Sequence, residues 1–535
     1  MHVLGGMQDW EMRVEHIVDH AAREHGTREL VTRWADGSET RTTWAGIRHD
    51  ALRMVQALRR LGISKGERIA TLAMNHHRHL ITWYGAVGVG GVLHTINPRL
   101  FDDQLDYIVN HAEDRVLLYD AVFQPIIDRM KPRWPTVEHY ICFDSAAHAP
   151  AFEDWIAPED CETTWDLGDE RDPCMLCYTS GTTGHPKGVL YTHRSTMLHA
   201  LTSVQPSIFD FDARTVMLPI VPMFHAASWG LPWGGAACGV KFVFSAVNDG
   251  KVLCELIQNE GVTHSAGVPT VWLALFQHLD THGGDLARLR HIICGGSAMP
   301  RAMVERFMRL GINVAHAWGM TETSPIGTTG TRPWNWDDIT FDEQVDAKVM
   351  QGRVPFGVEL RCLDLSDPDT VLPRDGKTSG ALQVRGPWVI KRYFKAEEDA
   401  ALAPDQWFDT GDVAVIHPDG TLQLTDRTKD VIKSGGEWIS SVELENAAIG
   451  HPAVTEAAAI GIVHPRWDER PILVVVRKPG SEATAQDIID FLAGKVAKWW
   501  LPDAVEFVDD LPHTGTGKIS KKDLRERFRE YRLVE

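Results

Sequence analysis

The segment Tyr178–Gly188, YTSGTTGHPKG, contains three glycines, four serine or threonine hydroxyls and one lysine. It follows an apolar run, Cys174–Tyr178, that is typical of a buried strand, and we expect a helix after it. Glycines let the backbone approach a ligand closely, hydroxyls donate hydrogen bonds, and Lys187 adds positive charge. The combination predicts a loop that binds a polyphosphate, rather than a mobile surface turn.

A Walker A loop is the obvious alternative for such a segment, but its spacing does not match. A Walker A loop requires GxxxxGK followed by serine or threonine. Here Lys187 is preceded by Pro186 and followed by Gly188. The segment is therefore not a Walker A loop.

The whole chain is long and acidic. It has 535 residues, with 54 Lys and Arg against 73 Asp and Glu, for a net charge of −19. A nucleic-acid binder needs a clustered basic face, so that class is disfavoured. The length predicts at least two domains. The N-terminus lacks the apolar core of a signal peptide, and no apolar run approaches the roughly 20 residues of a membrane span, so we expect a soluble, cytoplasmic protein.

Two short patterns could belong to metal or redox sites. Cys174 and Cys177 form a CxxC inside an apolar run, but no second pair stands at zinc-site spacing. We interpret them as small side chains of a buried strand. His76 and His79 have helical i, i+3 spacing without an adjacent carboxylate or cysteine, which favours structural histidines over metal ligands.

Helical and strand-like segments alternate along the first four hundred residues. The pattern predicts a helix over Trp44–Leu61, a strand over Arg68–Met74 and a helix over Leu80–Val92. Such alternation is typical of α/β layers. Short strands then follow, with a turn signal at Asp409–Asp412.

The composition changes near residue 425, where a charged segment, Asp426–Gly436 (DRTKDVIKSGG), begins. Strands and helices alternate again after it, including a predicted helix over Ser441–Ile449. We predict a large domain over residues 1–425, a hinge over 426–431 and a small α+β domain over 432–535.

Five motifs occur in one order along the chain. They are YTSGTTGHPKG, WGMTETSP (Trp318–Pro325), FDTGD (Phe408–Asp412), DRTKDVIKSGGEWIS (Asp426–Ser440) and PHTGTGKISK (Pro512–Lys521). Together they resemble the adenylate-forming enzymes, which include acyl-CoA synthetases, aryl-CoA ligases, luciferases and adenylation domains of peptide synthetases. The motif order, GGEWISS and PMFHAASW most resemble the medium- and long-chain fatty-acyl group, which also contains 3-methylmercaptopropionate ligases.

The resemblance implies a large multilayered α/β domain followed by a small mobile α+β domain, and a reaction in two steps. A carboxylic acid attacks the α-phosphorus of ATP, giving acyl-AMP and pyrophosphate, and the thiol of CoA then displaces AMP. ATP and CoA would be substrates and Mg²⁺ the cofactor. The partners would be small molecules and not nucleic acid, and a homodimer is compatible because dimers occur among fatty-acyl members.

The resemblance also implies roles for nucleotide-binding residues. Glu322 would hold Mg²⁺, with the hydroxyl of Thr179 as a second contact. Trp318, where the family usually has tyrosine, would stack on adenine, while Asp412 and Arg427 would bind the ribose. The full implied ATP- and AMP-binding set is Thr179, Ser180, Gly181, Thr182, Thr183, Gly184, Lys187, Gly296, Ser297, Trp318, Gly319, Thr321, Asp412 and Arg427.

Catalysis and domain movement involve further positions in the family. Lys518 would stabilise the transition state of adenylation. Asp426 and Lys429 would belong to the hinge, with Lys429 as the pivot about which the small domain rotates. The residues implied in the CoA step are Lys433, Gly435, Gly436 and Trp438.

The acyl pocket is implied by PMFHAASWG (Pro222–Gly230). His225 would lie beside the substrate carboxylate, and Gly295 and Gly296 between the adenine and acyl sites. Trp229 matches a gating tryptophan of fatty-acyl members, although plain core packing is the alternative.

Other functions on this scaffold stay open. An enzyme that loads a carrier protein, an aryl-acid ligase and a light-emitting oxygenase share the chemistry. A ligand-binding protein without activity is a different class, and the intact Lys187, Glu322, Asp412, Arg427 and Lys518 argue against it.

Overall fold

The computed structural model describes residues 6–144, 151–179, 185–402, 405–435, 437–513 and 519–533. Within these ranges the chain forms four β-sheets with helices packed on them. The helices are α1 (Glu15–Glu24), α2 (Trp44–Arg60), α3 (His77–Gly88), α4 (Asp102–Ala112), α5 (Gln124–Met130), α6 (Phe152–Ile156), α7 (His193–Ser203), α8 (Leu231–Ala237), α9 (Gly250–Asn259), α10 (Pro269–His282), α11 (Arg301–Arg309), α12 (Phe341–Val349), α13 (Ser441–Ile449), α14 (Ala485–Leu492) and α15 (Lys521–Arg527).

The strands are short and belong to the sheets in a mixed order. They are β1 (Glu29–Arg33), β2 (Glu39–Thr43), β3 (Arg68–Leu72), β4 (Val92–Thr95), β5 (Asp114–Tyr119), β6 (His139–Cys142), β7 (Pro173–Tyr178), β8 (Gly188–Thr192), β9 (Val216–Pro219), β10 (Lys241–Ser245), β11 (His264–Gly267), β12 (His291–Cys294), β13 (Asn313–Gly319), β14 (Ile326–Thr329), β15 (Glu359–Leu363), β16 (Gly380–Arg385), β17 (Ala401–Leu402), β18 (Trp407–Ile416), β19 (Leu422–Arg427), β20 (Ile432–Ser434), β21 (Glu437–Ile439), β22 (Val454–His464), β23 (Asp468–Arg477) and β24 (Ala504–Val508).

Two largely parallel sheets form the greater part of the chain. One has six strands in the order β6-β5-β3-β4-β7-β8, and the other has eight in the order β14-β13-β12-β11-β9-β10-β1-β2. Antiparallel pairing occurs only at their edges, at β8, β14 and β2. Parallel strands are covered by helices on both faces, which explains runs such as HIIC in β12 and PCMLCY in β7.

Helix α3 has a largely apolar sequence and is almost completely buried. Eleven of its residues are buried, because it is apolar on nearly all sides. Trp83 and Tyr84 of α3 both pack against Trp233 of α8, with ring centroids 5.2 Å and 4.9 Å away. The large apolar core therefore forms around this helix.

The remaining two sheets follow in the chain. Strands β15 to β19 form an antiparallel sheet, and β20 to β24 form a separate C-terminal sheet in which only β24 runs parallel to its neighbour. The C-terminal sheet and its helices have their own apolar cores, one of which includes Leu444, Leu473 and Ile488. The expected α/β architecture with a separate C-terminal α+β domain is confirmed.

Three local predictions were right. Helix α2 ends at Arg60, two residues before Gly62, whose φ is +75°. Helix α13 begins and ends as the sequence indicated. Cys174 and Cys177 are buried and unpaired in β7, and burial raises the pKa of their thiols to about 12 and about 11. They therefore occupy the buried strand that the sequence predicted for them.

The predicted helix over Leu80–Val92 was misplaced at both ends. It begins at His77, because the Nδ1 atom of His76 accepts the backbone N–H of His79 at 2.9 Å and caps the helix. It ends at Gly88, and Val92 starts β4. The ring of His76 also contacts Asp120 at 2.8 Å, which gives this histidine the structural role expected of it.

The helix expected directly after Tyr178–Gly188 was also wrong. Gly188 begins β8, which pairs antiparallel with β7, so the segment is the loop of a hairpin. The β-branched and aromatic residues of VLYT favour this strand. Helix α7 starts only at His193, where Thr192 caps it by accepting the N–H of Ser195 at 3.0 Å.

The Asp409–Asp412 turn signal lies inside a strand. Strand β18 includes all four residues. The turn signal corresponds to Gly411, whose φ of +69° is irregular for a strand. Strand β19 continues to Arg427, so the first two residues of the predicted hinge belong to the sheet that precedes it. Among the described residues, every helix is too short or too polar to cross a membrane.

Candidate active site

The hairpin loop is closed at its base by two hydrogen bonds. The N–H of Thr179 donates to the carbonyl of Lys187 at 2.9 Å, and the N–H of Lys187 donates to Oγ1 of Thr179 at 3.0 Å. The side chain of Lys187 is exposed, and its ammonium lies 4.7 Å from the centre of the Tyr393 ring. Five of the predicted phosphate-binding residues lie outside the described ranges: Ser180, Gly181, Thr182, Thr183 and Gly184.

The hydroxyl of Tyr393 connects this loop to Glu322. It donates to Oε1 of Glu322 at 2.8 Å. Glu322 lies in the single helical turn Thr321–Thr323, which follows β13, and its side chain is buried. The turn is held in place by Tyr191, whose hydroxyl donates to the carbonyl of Thr321 at 2.7 Å.

Two opposing effects act on the pKa of the Glu322 carboxyl. Burial raises the pKa of its carboxyl, while the hydrogen bond from Tyr393 and the charges of Arg427 and Lys187 lower it, and the net shift is upward. The ionised carboxylate is therefore less stable here than in water. A bound cation would reverse that balance.

Asp412 accepts hydrogen bonds on both carboxylate oxygens. The indole N–H of Trp318 donates to Oδ2 at 2.8 Å, and the guanidinium of Arg427 donates to Oδ1. Arg427 stands opposite Asp412 in the register of β18 and β19, and the Asp412 carboxylate raises the pKa of Arg427. A carboxylate has about four lone-pair directions, so these contacts leave acceptor capacity for further donors.

The indole ring of Trp318 is fixed from one side by Gly327. A β-carbon at Gly327 would lie 2.3 Å from the Trp318 ring, so only glycine allows the two strands β13 and β14 to hold the ring there. Trp318 is 7% exposed. The ring is thus oriented by packing and by its N–H bond to Asp412.

The predicted acyl segment contains an unusual backbone. Five consecutive residues, from Ala226 to Gly230, have positive φ angles between 37° and 73°. Left-handed conformation costs roughly 1–2 kcal/mol for each residue that has a β-carbon. At Gly230 a β-carbon would lie 2.5 Å from the ring of His199. Strain of this kind is concentrated at ligand-binding sites.

The left-handed turn presents Trp229 to the end of β12. A β-carbon at Gly295 would lie 3.3 Å from the Trp229 ring, and Trp229 is 8% exposed. His225 precedes the turn, and its N–H donates to the carbonyl of Pro222 at 3.0 Å. The acyl segment therefore adjoins Gly295 through the ring of Trp229.

Gly296 and Ser297 follow Gly295 and are exposed. Gly296 has φ of +81°, in the region that favours glycine. Gly319 is also sterically required, because a β-carbon there would lie 1.8 Å from the carbonyl oxygen of Pro325. These glycines shape the backbone at the carboxyl ends of β12 and β13.

The hinge segment is bound to the C-terminal domain through its acidic residues. Asp426 is buried and accepts the backbone N–H of Ser441 at 2.5 Å and its hydroxyl at 2.7 Å. The ammonium of Lys521 donates to the same hydroxyl at 2.6 Å, and Asp430 pairs with Arg525 at 2.8 Å. Burial raises the pKa of Asp426 and, at the predicted pivot, lowers that of Lys429.

The described residues of the predicted CoA-step set, Lys433, Gly435 and Trp438, lie on or beside the paired strands β20 and β21. Lys433 pairs with Trp438, and its ammonium lies 5.9 Å from the centre of that ring. Gly435 has φ of +62°, and a β-carbon there would lie 2.8 Å from the ring of Trp467. Gly436 and Lys518 lie outside the described residues.

One polar cluster thus contains Lys187, Trp318, Glu322, Asp412 and Arg427. The charges of Lys187 and Arg427 both act on Glu322. Sequence reasoning missed Tyr393, which connects Lys187 to Glu322, and His199, which packs beneath the left-handed turn. Neither belongs to a motif with recognisable spacing. The one available signal for Tyr393 is an aromatic ring in a basic segment, KRYFK.

Comparison with known proteins identifies the family. The AMP-binding enzyme model matches residues 18–394, and the AMP-binding enzyme C-terminal domain model matches residues 443–518. The chain is 45% identical to a 3-methylmercaptopropionyl-CoA ligase of Ruegeria lacuscaerulensis, over 99% of each chain. It is 44% identical to a medium-chain-fatty-acid–CoA ligase of Ectopseudomonas oleovorans, over 98% of each. With a long-chain-fatty-acid–CoA ligase of Thermus thermophilus the identity is 41%, over 98% of this chain and 97% of the relative.

Solved structures agree on the fold. An anthranilate CoA ligase, AuaEII, in complex with anthranoyl-AMP superimposes with a TM-score of 0.86 at 24% identity, over 97% of this chain and 98% of that one. ATP-bound MatB from Rhodopseudomonas palustris superimposes with a TM-score of 0.81 at 25% identity, over 96% of this chain and 99% of that one. With both domains matched in order and full-length relatives above 40% identity, the chain belongs to the AMP-binding enzyme family.

Proposed function

We propose that this chain is an ATP-dependent, AMP-forming acid–thiol ligase that converts a carboxylic acid to its CoA thioester. The observation that carries the proposal is the polar cluster of Glu322, Asp412, Arg427, Trp318 and Lys187. It offers a buried carboxylate for a metal ion, an acceptor for ribose hydroxyls, an aromatic ring for a base and a cation for phosphates. These four groups match the metal ion, ribose, base and phosphates of a bound nucleoside triphosphate.

In the first step the carboxylate of the acid attacks the α-phosphorus of ATP. The bond between the α- and β-phosphates breaks, and pyrophosphate leaves with the bonding electrons. No side chain has to form a covalent bond, so catalysis consists of positioning and charge stabilisation. Lys187 and the hairpin loop would hold the departing pyrophosphate, and Thr321 and Lys518 would act at the α-phosphate.

Glu322 fits the requirements of Mg²⁺. This ion keeps several waters and binds one or two carboxylates together with substrate phosphates. Glu322 is a hard oxygen ligand that Tyr393 orients, and its burial makes a nearby cation favourable. When bound, Mg²⁺ would neutralise charge developing on the phosphate oxygens. The hydroxyl of Thr179 is the proposed second contact.

The nucleoside would lie against the opposite side of the cluster. Asp412 and Arg427 would bind the ribose, and the Trp318 ring, which Asp412 orients through the indole N–H, would stack on adenine. Gly296, Ser297 and Gly319 would supply backbone close to the base. Gly296 and Gly319 leave space that a side chain at either position would fill.

In the second step the thiol of CoA attacks the acyl carbon and AMP leaves. We propose domain boundaries at residues 1–425, 426–431 and 432–535, with rotation about Lys429. Lys518 would withdraw, and Lys433, Gly435, Gly436 and Trp438 would enter the site. Asp426 and Ser441, on either side of Lys429, are hydrogen-bonded to each other, so rotation about Lys429 would move the two ends of this contact relative to each other.

The acid is proposed to be a fatty acid or a short- to medium-chain acyl acid. The supporting observations are the similarity to fatty-acyl and 3-methylmercaptopropionyl ligases and the position of Trp229 beside Gly295. A panel of acids, assayed by AMP release with and without CoA, tests this. Aryl acids as best substrates, or AMP release driven by a carrier protein and not by CoA, would favour the alternatives.

The proposal extends to the setting of the enzyme. Eight unpaired cysteines suit a reducing compartment, and we propose the cytoplasm. We also propose a homodimer, which the family resemblance supports and sedimentation velocity tests.

Lysine substitutions should separate the two half-reactions. Lys518→Ala should lower acyl-AMP formation by about 10²–10³-fold, because a preorganised cation is lost. It should still convert synthetic acyl-AMP to thioester. Lys433→Ala should show the opposite pattern. Equal loss of both half-reactions in both variants would refute the proposed alternation.

Tyr393→Phe should lower adenylation by about 10–100-fold, since removal of an outer partner loosens a metal ligand. The Mg²⁺ concentration needed for half-maximal rate should rise. Tyr531→Phe is the matched control, because the Tyr531 hydroxyl donates to Glu506 at 2.6 Å outside the site. An unchanged Mg²⁺ requirement in Tyr393→Phe would contradict the positioning role.

Glu322→Gln should abolish most adenylation and yet raise the melting temperature of the ligand-free protein at neutral pH. The folded state holds the pKa of Glu322 above its usual value, so ionisation destabilises the fold as pH rises. The difference in stability from wild type should vanish at pH values low enough to protonate the carboxyl in both states. Calorimetry at several pH values measures it.

The exposed Glu482→Gln serves as the control for the calorimetry. A lower melting temperature for Glu322→Gln at neutral pH would show that the buried charge is stabilising in the free protein.

A further inference from the structure

Two histidines lie side by side at the amino-terminal ends of two central strands of the eight-stranded sheet, while the candidate active site lies at the carboxyl ends. His264 begins β11, His291 begins β12, and the two are direct partners in the parallel register. Their rings stack with centroids 5.2 Å apart, and both side chains are buried. The candidate active-site residues follow the other ends of the same sheet, at Gly295 and Glu322. The histidine pair is therefore remote from the proposed chemistry.

We propose that Asp210, His264 and His291 form a binding site for a divalent transition-metal ion, best matched to Zn²⁺. One ligand atom from each residue lies within 4.8 Å of the other two. Two imidazole nitrogens and one carboxylate, with a fourth position left for water, are a common zinc set. Zinc ligands about 2 Å from the ion lie roughly 3.3 Å from one another, so the three ligand atoms would have to move closer together by up to about 1.5 Å to bind the ion.

The outer nitrogens of both rings support this assignment. Within the part of the chain that the structure describes, neither buried Nε2 atom makes a hydrogen bond of normal geometry, although the backbone of Asp210 interacts with the His264 ring. Buried polar side-chain atoms nearly always have a partner. Two such nitrogens beside one carboxylate are what a metal site requires.

The surroundings of His264 favour the tautomer that binds metals. Its Nδ1 atom lies 2.8 Å from Oγ1 of Thr263, and that hydroxyl donates to the carbonyl of Val216 at 3.3 Å. The Thr263 oxygen is therefore free to accept the Nδ1–H of His264. The lone pair then lies on Nε2, as in metal-bound histidines whose second nitrogen is held by an outer partner.

Asn313 can give His291 the same tautomer. Its side-chain nitrogen lies 3.2 Å from Nδ1 of His291, while its Oδ1 atom is buried without a hydrogen-bond partner in the described chain. Rotating the amide by a half turn fills the same space. Oδ1 would then accept the Nδ1–H of His291, which satisfies the orphaned oxygen and leaves the Nε2 lone pair for the ion.

The charges around the proposed site include cations. Lys348, Arg290 and Arg332 all act electrostatically on His291 and would oppose a bound cation. Asp210 is the ligand that supplies compensating negative charge.

Asp210 lies in the exposed connection between α7 and β9. Its φ of +55° is left-handed, and its N–H donates to the carbonyl of Gln205 at 3.1 Å. A bound ion would attach this connection to the starts of β11 and β12. The expected consequence is greater stability, with no change in the rate of the ligase reaction.

A second histidine pair provides the necessary control. His278, which is partly exposed, and His282, which is exposed, are one turn apart on α10, and their ring centroids are 4.6 Å apart. Such a surface pair binds Zn²⁺ adventitiously. The experiment therefore uses full-length protein with His278→Gln and His282→Gln as the parent.

The metal-stripped parent is titrated with Zn²⁺ alone in competition with a chromogenic chelator. We expect one ion per chain, a higher melting temperature with Zn²⁺, and visible bands of a four-coordinate centre with Co²⁺. Asp210→Asn and His291→Gln should each weaken Zn²⁺ binding at least tenfold. Asp212→Asn, which alters a neighbouring carboxylate outside the ligand set, should leave binding within a few-fold of the parent.

Asp210→Asn keeps the test decisive, because Asp210 is exposed and its replacement should fold even where a buried histidine variant does not. If the parent binds no Zn²⁺, or if folded Asp210→Asn binds it as tightly as the parent, the proposal is overturned. Ligase activity enters only as a control, so this outcome is independent of the proposed function.

Discussion

The carboxylate of Asp412 is the contact on which the arrangement of the candidate site depends. One oxygen accepts the indole N–H of Trp318, which comes from the eight-stranded sheet. The other accepts from Arg427, the last residue of the antiparallel sheet before the chain passes to the C-terminal domain. A single buried acid thus positions an aromatic ring, a cation and the start of the hinge. Because its oxygens are shielded from water, these hydrogen bonds are stronger than exposed ones.

The second constraint is charge at Glu322. Burial makes the ionised carboxylate unfavourable, and the hydrogen bond from Tyr393 and the charges of Arg427 and Lys187 offset only part of that cost. The fold retains a group that is less stable ionised than it would be in water. Such a group is suited to bind a cation, because the positive charge of the ion offsets the cost of burying the ionised carboxylate. This is the usual relation between a perturbed pKa and a functional site.

Backbone strain contributes at the acyl side. The left-handed run from Ala226 to Gly230 is kept in place by packing, since Trp229 contacts Gly295 and His199 packs against Gly230. Five residues in this conformation would not persist in an isolated peptide. The surrounding core determines it, which is why tertiary packing rather than local propensity shapes this wall of the site.

Local sequence signals predicted part of the structure well. Helices α2 and α13 and strand β7 follow directly from periodicity and punctuation, because short-range sterics and capping decide them. The same reasoning failed after Gly188 and at Asp409–Asp412, where pairing with a neighbouring strand overrode the local signal. Strand pairing depends on residues distant in the sequence, and a local pattern does not contain them.

The sequence by itself determined the family and the type of chemistry, since five motifs with charged and hydroxyl residues at defined positions carry that information. Only the tertiary structure decided which groups touch. It placed Tyr393 between Lys187 and Glu322, set Trp318 against Gly327, and brought His264 and His291 together with Asp210. These contacts join residues between nine and 206 positions apart, and their distances follow from sheet register and packing, which the linear order of residues does not specify.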